Sequence, residues 1–180
     1  MARLSELVAY ADELLGIGNF SDYCPNGLQV QGRPEVGALI GGVTACQRLL
    51  DAAVEHRADA VLVHHGYFWK GEDSRIVGMK RRRLAALLRH DINLIAYHLP
   101  LDAHPELGNN AQLARALDLT VTGTVGGNGR TPGLVMLGEP ATSMDGGAFT
   151  AHLADRLGRP PLHIAGSEAP IRRLAWCTGA

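Results

Sequence analysis

The chain has 180 residues and 46% hydrophobic content, enough for one domain with a substantial core, or for one domain and part of a second. Its formal net charge of −1 supplies no global field to draw in nucleic acid or an anionic membrane, so neither is an expected partner. Charged residues make up only 19%, which points to surface buried in a homo-oligomer, and the three widely spaced cysteines (Cys24, Cys46, Cys177) imply neither a disulfide framework nor a zinc knuckle.

Acidic residues fall within the first turns and no long apolar stretch follows, so neither a signal peptide nor a membrane span is expected, and the expected location is the cytoplasm. Leu4, Leu7, Val8, Ala11, Leu14 and Leu15 follow i, i+3, i+4 spacing and predict a helix that stops near Gly16 and Gly18. Pro25 and Asn26-Gly27 mark a tight turn. A strand is expected over 38–43, with Thr44 capping a helix that contains Leu49, Leu50, Ala53 and Val54. The apolar run Ala58-Asp59-Ala60-Val61-Leu62-Val63 reads as a buried strand that ends at His64-His65-Gly66, before a loop over 66–74 carrying Phe68 and Trp69. A helix over about 78–90 opens on Lys80-Arg81-Arg82-Arg83; the run reads as a solvated helix face, with a substrate phosphate or acidic neighbour as the alternative.

A second apolar run, Ile92-Asn93-Leu94-Ile95-Ala96-Tyr97, ends at His98, with Asp102 four residues later. A helix starts at Asn109 and a short strand at Leu119-Thr120-Val121. Residues 123–147 turn rich in Gly, Thr and Pro and predict a loop, a strand over 134–137 and another loop; a helix over 148–157 and a strand over 172–178 follow. The β-α-β alternation with near-continuous apolar strands predicts an α/β fold, a mostly parallel sheet covered by helices on both faces. The expected organisation is an α/β lobe over 1–125 that carries the metal ligands and a partial second lobe over 126–180. The chain stops just after a strand and glycine, so a further C-terminal segment is expected beyond it.

In an open α/β sheet, ligands gather outside the carboxyl ends of the strands. Three histidines and a carboxylate at two such ends are the donor mix that divalent transition metals take. Consecutive residues of a regular strand face opposite ways, so His64 and His65 can serve one site only where the strand has ended, and there they can serve two adjacent ions. Asp102 is the candidate to bridge such a pair. His98 is either a ligand or a group orienting one. His104 is expected outside the ligand set, and His56, His90, His152 and His163 at the surface. Four ligands are few for two ions, so further ligands must come from elsewhere. Gly41-Gly42-Val43-Thr44 lacks both GxGxxG and a P-loop lysine. No Ser-His-Asp or Cys-His pattern stands out, and Cys24 has no adjacent base in sequence.

Three stretches closely resemble signature stretches of the Nif-three-like family: Ser21-Asp22-Tyr23-Cys24-Pro25-Asn26-Gly27-Leu28-Gln29-Val30, Val63-His64-His65-Gly66-Tyr67-Phe68-Trp69-Lys70-Gly71 and Tyr97-His98-Leu99-Pro100-Leu101-Asp102-Ala103-His104. The continuation Leu107-Gly108-Asn109-Asn110 matches too. Family members carry the name GTP cyclohydrolase 1 type 2 homologue. The resemblance implies a fold of two related α/β lobes, a toroidal homohexamer and a dinuclear metal centre facing its inner cavity. His64, His65 and Asp102 match the family's metal ligands; its remaining His and Glu ligands lie in the C-terminal segment expected beyond this chain. Two divalent ions per subunit are implied, of zinc, iron, manganese, cobalt or nickel. The implied chemistry is metal-dependent hydrolysis of a nucleotide such as GTP, with attack at the purine C8 and His98 as the catalytic proton carrier. Phe68 and Trp69 either stack on the base or pack the core. A non-catalytic metal-binding scaffold or regulator, and a metal-dependent phosphoesterase, are the alternatives.

Overall fold

The two apolar runs that end in histidine form adjacent central strands of one sheet. In the computed structural model, which describes residues 1–127 and 133–179, the chain divides into two compact units, Met1–Leu101 and Asp102–Ala180. In the first unit, β2 (Gly27–Val30), β4 (Leu39–Thr44), β5 (Ala60–His65) and β6 (Asn93–Ala96) form a sheet in the order β2-β6-β5-β4. The pairs β4–β5 and β5–β6 are parallel, and β2 closes the other edge antiparallel to β6. A small antiparallel pair joins β1 (Ala2–Arg3) to β3 (Glu35–Val36).

Both faces of β5 and β6 are covered, which is why residues 60–63 and 94–96 are apolar at successive rather than alternate positions. Val61, Val63, Leu94 and Ala96 pack with Leu50 and Ala53 of α2 (Gln47–Glu55) and Leu84 and Leu87 of α3 (Gly78–Arg89). Ala60, Ile95 and Tyr97 face the other way, onto Leu4, Leu7, Val8 and Ala11 of α1 (Leu4–Leu15). Helix α1 ends at Gly16, whose φ of 58° is left-handed and suits glycine, where the apolar periodicity predicts the stop. Asn93 is fully buried inside β6: its side chain accepts from the Gly32 N–H at 2.7 Å and donates to the carbonyls of Arg33 and Asp59 at 2.9 and 3.0 Å.

Thr44 does not cap α2. It is the last residue of β4, and Cys46 occupies the capping position without a side-chain hydrogen bond. The cause is register: Thr44 pairs with His65, so β4 runs one residue further than the glycines suggest.

The short helix α4 (Leu99–Ala103) runs across the division between units. The second unit contains α5 (Asn109–Ala116), β7 (Leu119–Val125), β8 (Val135–Pro140), α6 (Gly146–Leu157) and β9 (Leu174–Trp176). Its sheet, β7-β8-β9, is antiparallel throughout. The parallel arrangement is thus confined to β4, β5 and β6, because β7 and β8 follow one another too closely for a crossover helix. The compact units meet at 101/102, and β7 pairs with β8, the strand that follows it. Residues 128–132 of the expected loop lie outside the described residues. Helix α6 starts two residues before its predicted position, because the Asp145 carboxylate accepts the Ala148 N–H at 2.8 Å. Among the described residues, no helix is long and apolar enough to cross a membrane.

Candidate metal centre

The ladder between β5 and β6 ends at the Val63–Ala96 pair, while β4 holds β5 for two residues more, through Thr44 and His65. His64 and His65 are the last two residues of β5, not residues beyond its end as expected, and their rings lie 4.4 Å apart, centroid to centroid. The Tyr97 carbonyl lies 3.0 Å from His64 Nδ1. A carbonyl only accepts, so the ring proton sits on Nδ1 and the lone pair on Nε2. Thr44 Oγ1 is 3.2 Å from His65 Nδ1, a contact that follows from the register above.

His98 comes two residues after β6, and its ring lies 5.1 and 5.7 Å from those of His64 and His65. One ring nitrogen from each of the three histidines falls within 4.8 Å of the other two. The position of His98 is fixed twice. Its backbone N–H donates to Asn26 Oδ1 at 2.7 Å, and its Nδ1 lies 2.7 Å from Asp22 Oδ1. Asp22 also accepts from the backbone N–H groups of Tyr23 and Leu99 and from Asn26 Nδ2, and its side chain is 3% exposed. Burial works against its charge, but the hydrogen bonds from Asn26, His98, Leu99 and Tyr23 outweigh it and hold its pKa below the ordinary carboxylate value. An ionised Asp22 makes His98 Nδ1 the donor and leaves the lone pair of the neutral ring on Nε2.

The resemblance stated from the signature stretches extends to the whole chain: the Duf34/NIF3 (NGG1p interacting factor 3) family description matches residues 2–180. The chain belongs to this family. It is 58% identical over 177 residues to a Pseudomonas aeruginosa protein named GTP cyclohydrolase 1 type 2 homolog, spanning 98% of this chain and 69% of that one. Among solved structures, the protein ybgI is 52% identical with a TM-score of 0.92, over 99% of this chain and 70% of that one. TTHA1606 from Thermus thermophilus is 36% identical with a TM-score of 0.80, over 95% and 69%.

In this Duf34/NIF3 chain the first unit therefore assembles His64, His65 and His98 within ligand distance. Three imidazoles suit the borderline divalent ions of the first transition row, and the second ring nitrogens of His64 and His98 are each held by an oxygen acceptor, the arrangement usual for metal-bound histidine. Asp102 opens the second unit. It is buried and accepts from Asn109 Nδ2 at 2.8 Å and Thr178 Oγ1 at 3.3 Å. His104 accepts the N–H groups of Glu106 and Leu107 through Nδ1 and so shapes a local turn. His152 Nε2 donates to the Leu117 carbonyl.

Three residues with a part in the site escape sequence reasoning: Asp22, Asn26 and Thr44. Trp69 stands edge-on to His98 at 4.9 Å and donates its indole N–H to the Gly66 carbonyl at 3.3 Å, so it walls the cluster. Phe68 is a packing residue: it lies against the core of β5, α2 and α3, with Lys80 Nζ 5.4 Å from its ring centre. The one local signal for Asp22 and Asn26 was their spacing around Pro25 in a tight turn, where short polar side chains hydrogen-bond locally. Cys24 is buried in that same turn, and burial, then the charge of Asp22, pushes its thiol pKa up to about 11.

Proposed function

We propose that the chain holds divalent metal ions through His64, His65 and Asp102, with His98 beside the two histidines as the proton carrier, and acts as a metal-dependent hydrolase of a nucleotide such as GTP. The observation that carries this reading is the convergence of three imidazoles at the ends of two adjacent parallel strands, their ring nitrogens within 4.8 Å. The names of its relatives support the nucleotide substrate. Asp102 enters as the residue matching the family's ligand, four positions after His98 in sequence. When bound, a divalent ion polarises a substrate oxygen and lowers the pKa of a water enough for attack at neutral pH.

The remaining work falls to the chain's own groups. The Tyr97 carbonyl orients the His64 ring through Nδ1, and His65 is braced by Thr44. Asp22 holds His98 in the tautomer whose Nε2 accepts a proton and later returns it to the leaving atom. Trp69 shields one side of that imidazole from water. We propose further that the working form is a cytoplasmic homo-oligomer, a hexamer, with two divalent ions per subunit; the low charged fraction of 19% supports assembly.

The test is elemental analysis of protein purified without chelator, followed by GTP turnover. The expected ratio is near two metal ions per chain, with metal and turnover both lost in His64→Ala. Metal-free wild type, or a His64→Ala variant with unchanged turnover, would sink the proposal. Phosphate release with the purine absorbance intact would favour phosphoesterase chemistry. The family name NGG1p interacting factor 3 favours a second reading, a metal-binding scaffold; metal-loaded protein inert to nucleotides but copurifying with a stable partner would support it.

A further inference from the structure

We propose that Asp22, Cys24 and His98 form a second cation site, with a thiolate ligand, beside the three-histidine cluster, and that it selects a thiophilic d10 ion such as zinc or cadmium. One carboxylate oxygen, one sulfur and one ring nitrogen of these residues lie within 4.8 Å of one another. Tetrahedral zinc with bonds of about 2.3 Å to sulfur and about 2.0–2.1 Å to nitrogen or oxygen keeps its ligand atoms roughly 3.3–3.6 Å apart, so movements of about 1 Å close the site. A soft sulfur ligand beside a nitrogen and an oxygen separates this set from the all-imidazole cluster and favours d10 ions over magnesium or calcium.

The scaffold is built before any ion arrives. Asp22 and Cys24 share one turn, which Asn26 ties to the backbone of His98 and Asp22 ties to the backbone of Leu99. The Tyr23 carbonyl, between the two ligands, accepts the Lys70 N–H at 2.6 Å. The His98 side chain is 15% exposed while Asp22 is 3% exposed, so an ion enters from the imidazole side. Asp22 and His98 Nδ1 now share a proton across 2.7 Å, and the cation takes that proton's place as the two atoms open to roughly 3.3 Å. The displaced proton moves to Nε2 through solvent and the ring stays neutral. The thiol proton leaves to solvent, so that one carboxylate and one thiolate balance the divalent charge. A neutral His98 has one lone pair, so it serves one cluster at a time, and the two sites compete for it.

The experiment titrates the reduced, metal-free chain of 180 residues with cadmium and follows the ultraviolet thiolate-to-cadmium charge-transfer band. The expected result is a band with one thiolate per ion that disappears in Cys24→Ser, with folding checked by circular dichroism, and persists in Cys46→Ser and Cys177→Ser. His98→Ala should weaken cadmium binding at this site about tenfold or more. The band should survive His64→Ala, which removes the three-histidine cluster, so failure of the proposed hydrolase centre and failure of this site are read separately. No band in wild type, a band unchanged in Cys24→Ser, or a band lost in His64→Ala would each overturn the proposal.

Discussion

Asp59 shows how a single side chain ties three segments of the first unit. One carboxylate oxygen meets Arg33 Nη1 at 2.6 Å, and the other accepts the N–H groups of Gly37 and Ala38 at 2.8 and 2.9 Å. The amides of Ala38 and Gly37, and then the charge of Arg33, hold its pKa below the ordinary value of 3.8 against a smaller effect of burial. A carboxyl whose pKa is depressed by folding contributes stability that is present above the unfolded pKa and lost as pH falls through the folded one. Asp59→Ala is therefore expected to cost about 1–3 kcal/mol at neutral pH, because two backbone donors and a guanidinium lose their acceptor. The gap to wild type should narrow as pH falls below the ordinary carboxyl value of 3.8 towards the lowered folded value. Denaturant melts at neutral pH and at about pH 3 check this, and a gap of equal size at both would refute it. The same scale explains what was legible in the metal centre. His64, His65 and His98 declare themselves because each ends an apolar run. Asp22 and Asn26 do not, because they meet His98 across 76 and 72 residues of sequence, and no local pattern encodes that contact.

At the scale of elements, the centre depends on how β5 stops. Gly66 follows His65, and a Cβ there would stand 2.2 Å from Gln29 Oε1 and 2.7 Å from the Cβ of Ala96. Gln29 can rotate away only by giving up the Tyr67 N–H, which it accepts at 2.7 Å, and Ala96 is fully buried in β6. Gly66→Ala should push the end of β5 away from β6, carry His65 with it, cost about 1–3 kcal/mol and weaken metal binding together with stability. Gly18→Ala, with open space around its Cβ, is the matched control and should be near neutral. Equal melting and equal metal content in the two variants would show that close approach at Gly66 does not position the site. Periodicity recovers α1, α3, β5 and β6, since each buries a stripe or both faces, and the apolar run also finds β4, an edge strand that exposes Leu39, Gly41, Val43 and Thr44. It fails at Thr44 and in the second unit. Helix capping and strand register compete for the same residue at the end of β4, and the polar, glycine-containing strand β7 takes its direction from its neighbour, not from its own pattern.

At the scale of the whole molecule, the proposed centre and the main hydrophobic core are parts of one structure. The strands that deliver His64, His65 and His98 are the strands whose inner faces build both apolar clusters of the first unit. The three imidazoles converge only when β5 and β6 are paired and the turn at Asp22 is closed over His98. The unfolded chain cannot reproduce that spacing, so an ion that binds the cluster binds the folded state alone and shifts folding by mass action. With free ion at 100 times its dissociation constant, the stabilisation is about 2.7 kcal/mol. A unit of Met1–Leu101 size shifts its midpoint by about 4–8 °C per kcal/mol, so metal-saturated and chelated protein should differ in Tm by about 10–20 °C. Scanning calorimetry of the full chain with excess divalent metal and with chelator measures the difference directly. In His64→Ala most of it should vanish, while the chelated variant melts close to the chelated wild type, because His64 is partly exposed and belongs to neither apolar cluster. A wild-type Tm indifferent to both metal and chelator would mean that the folded chain holds no ion at these strand ends. The hydrolase reading would then lose its foundation, while the fold and the family would stand unchanged.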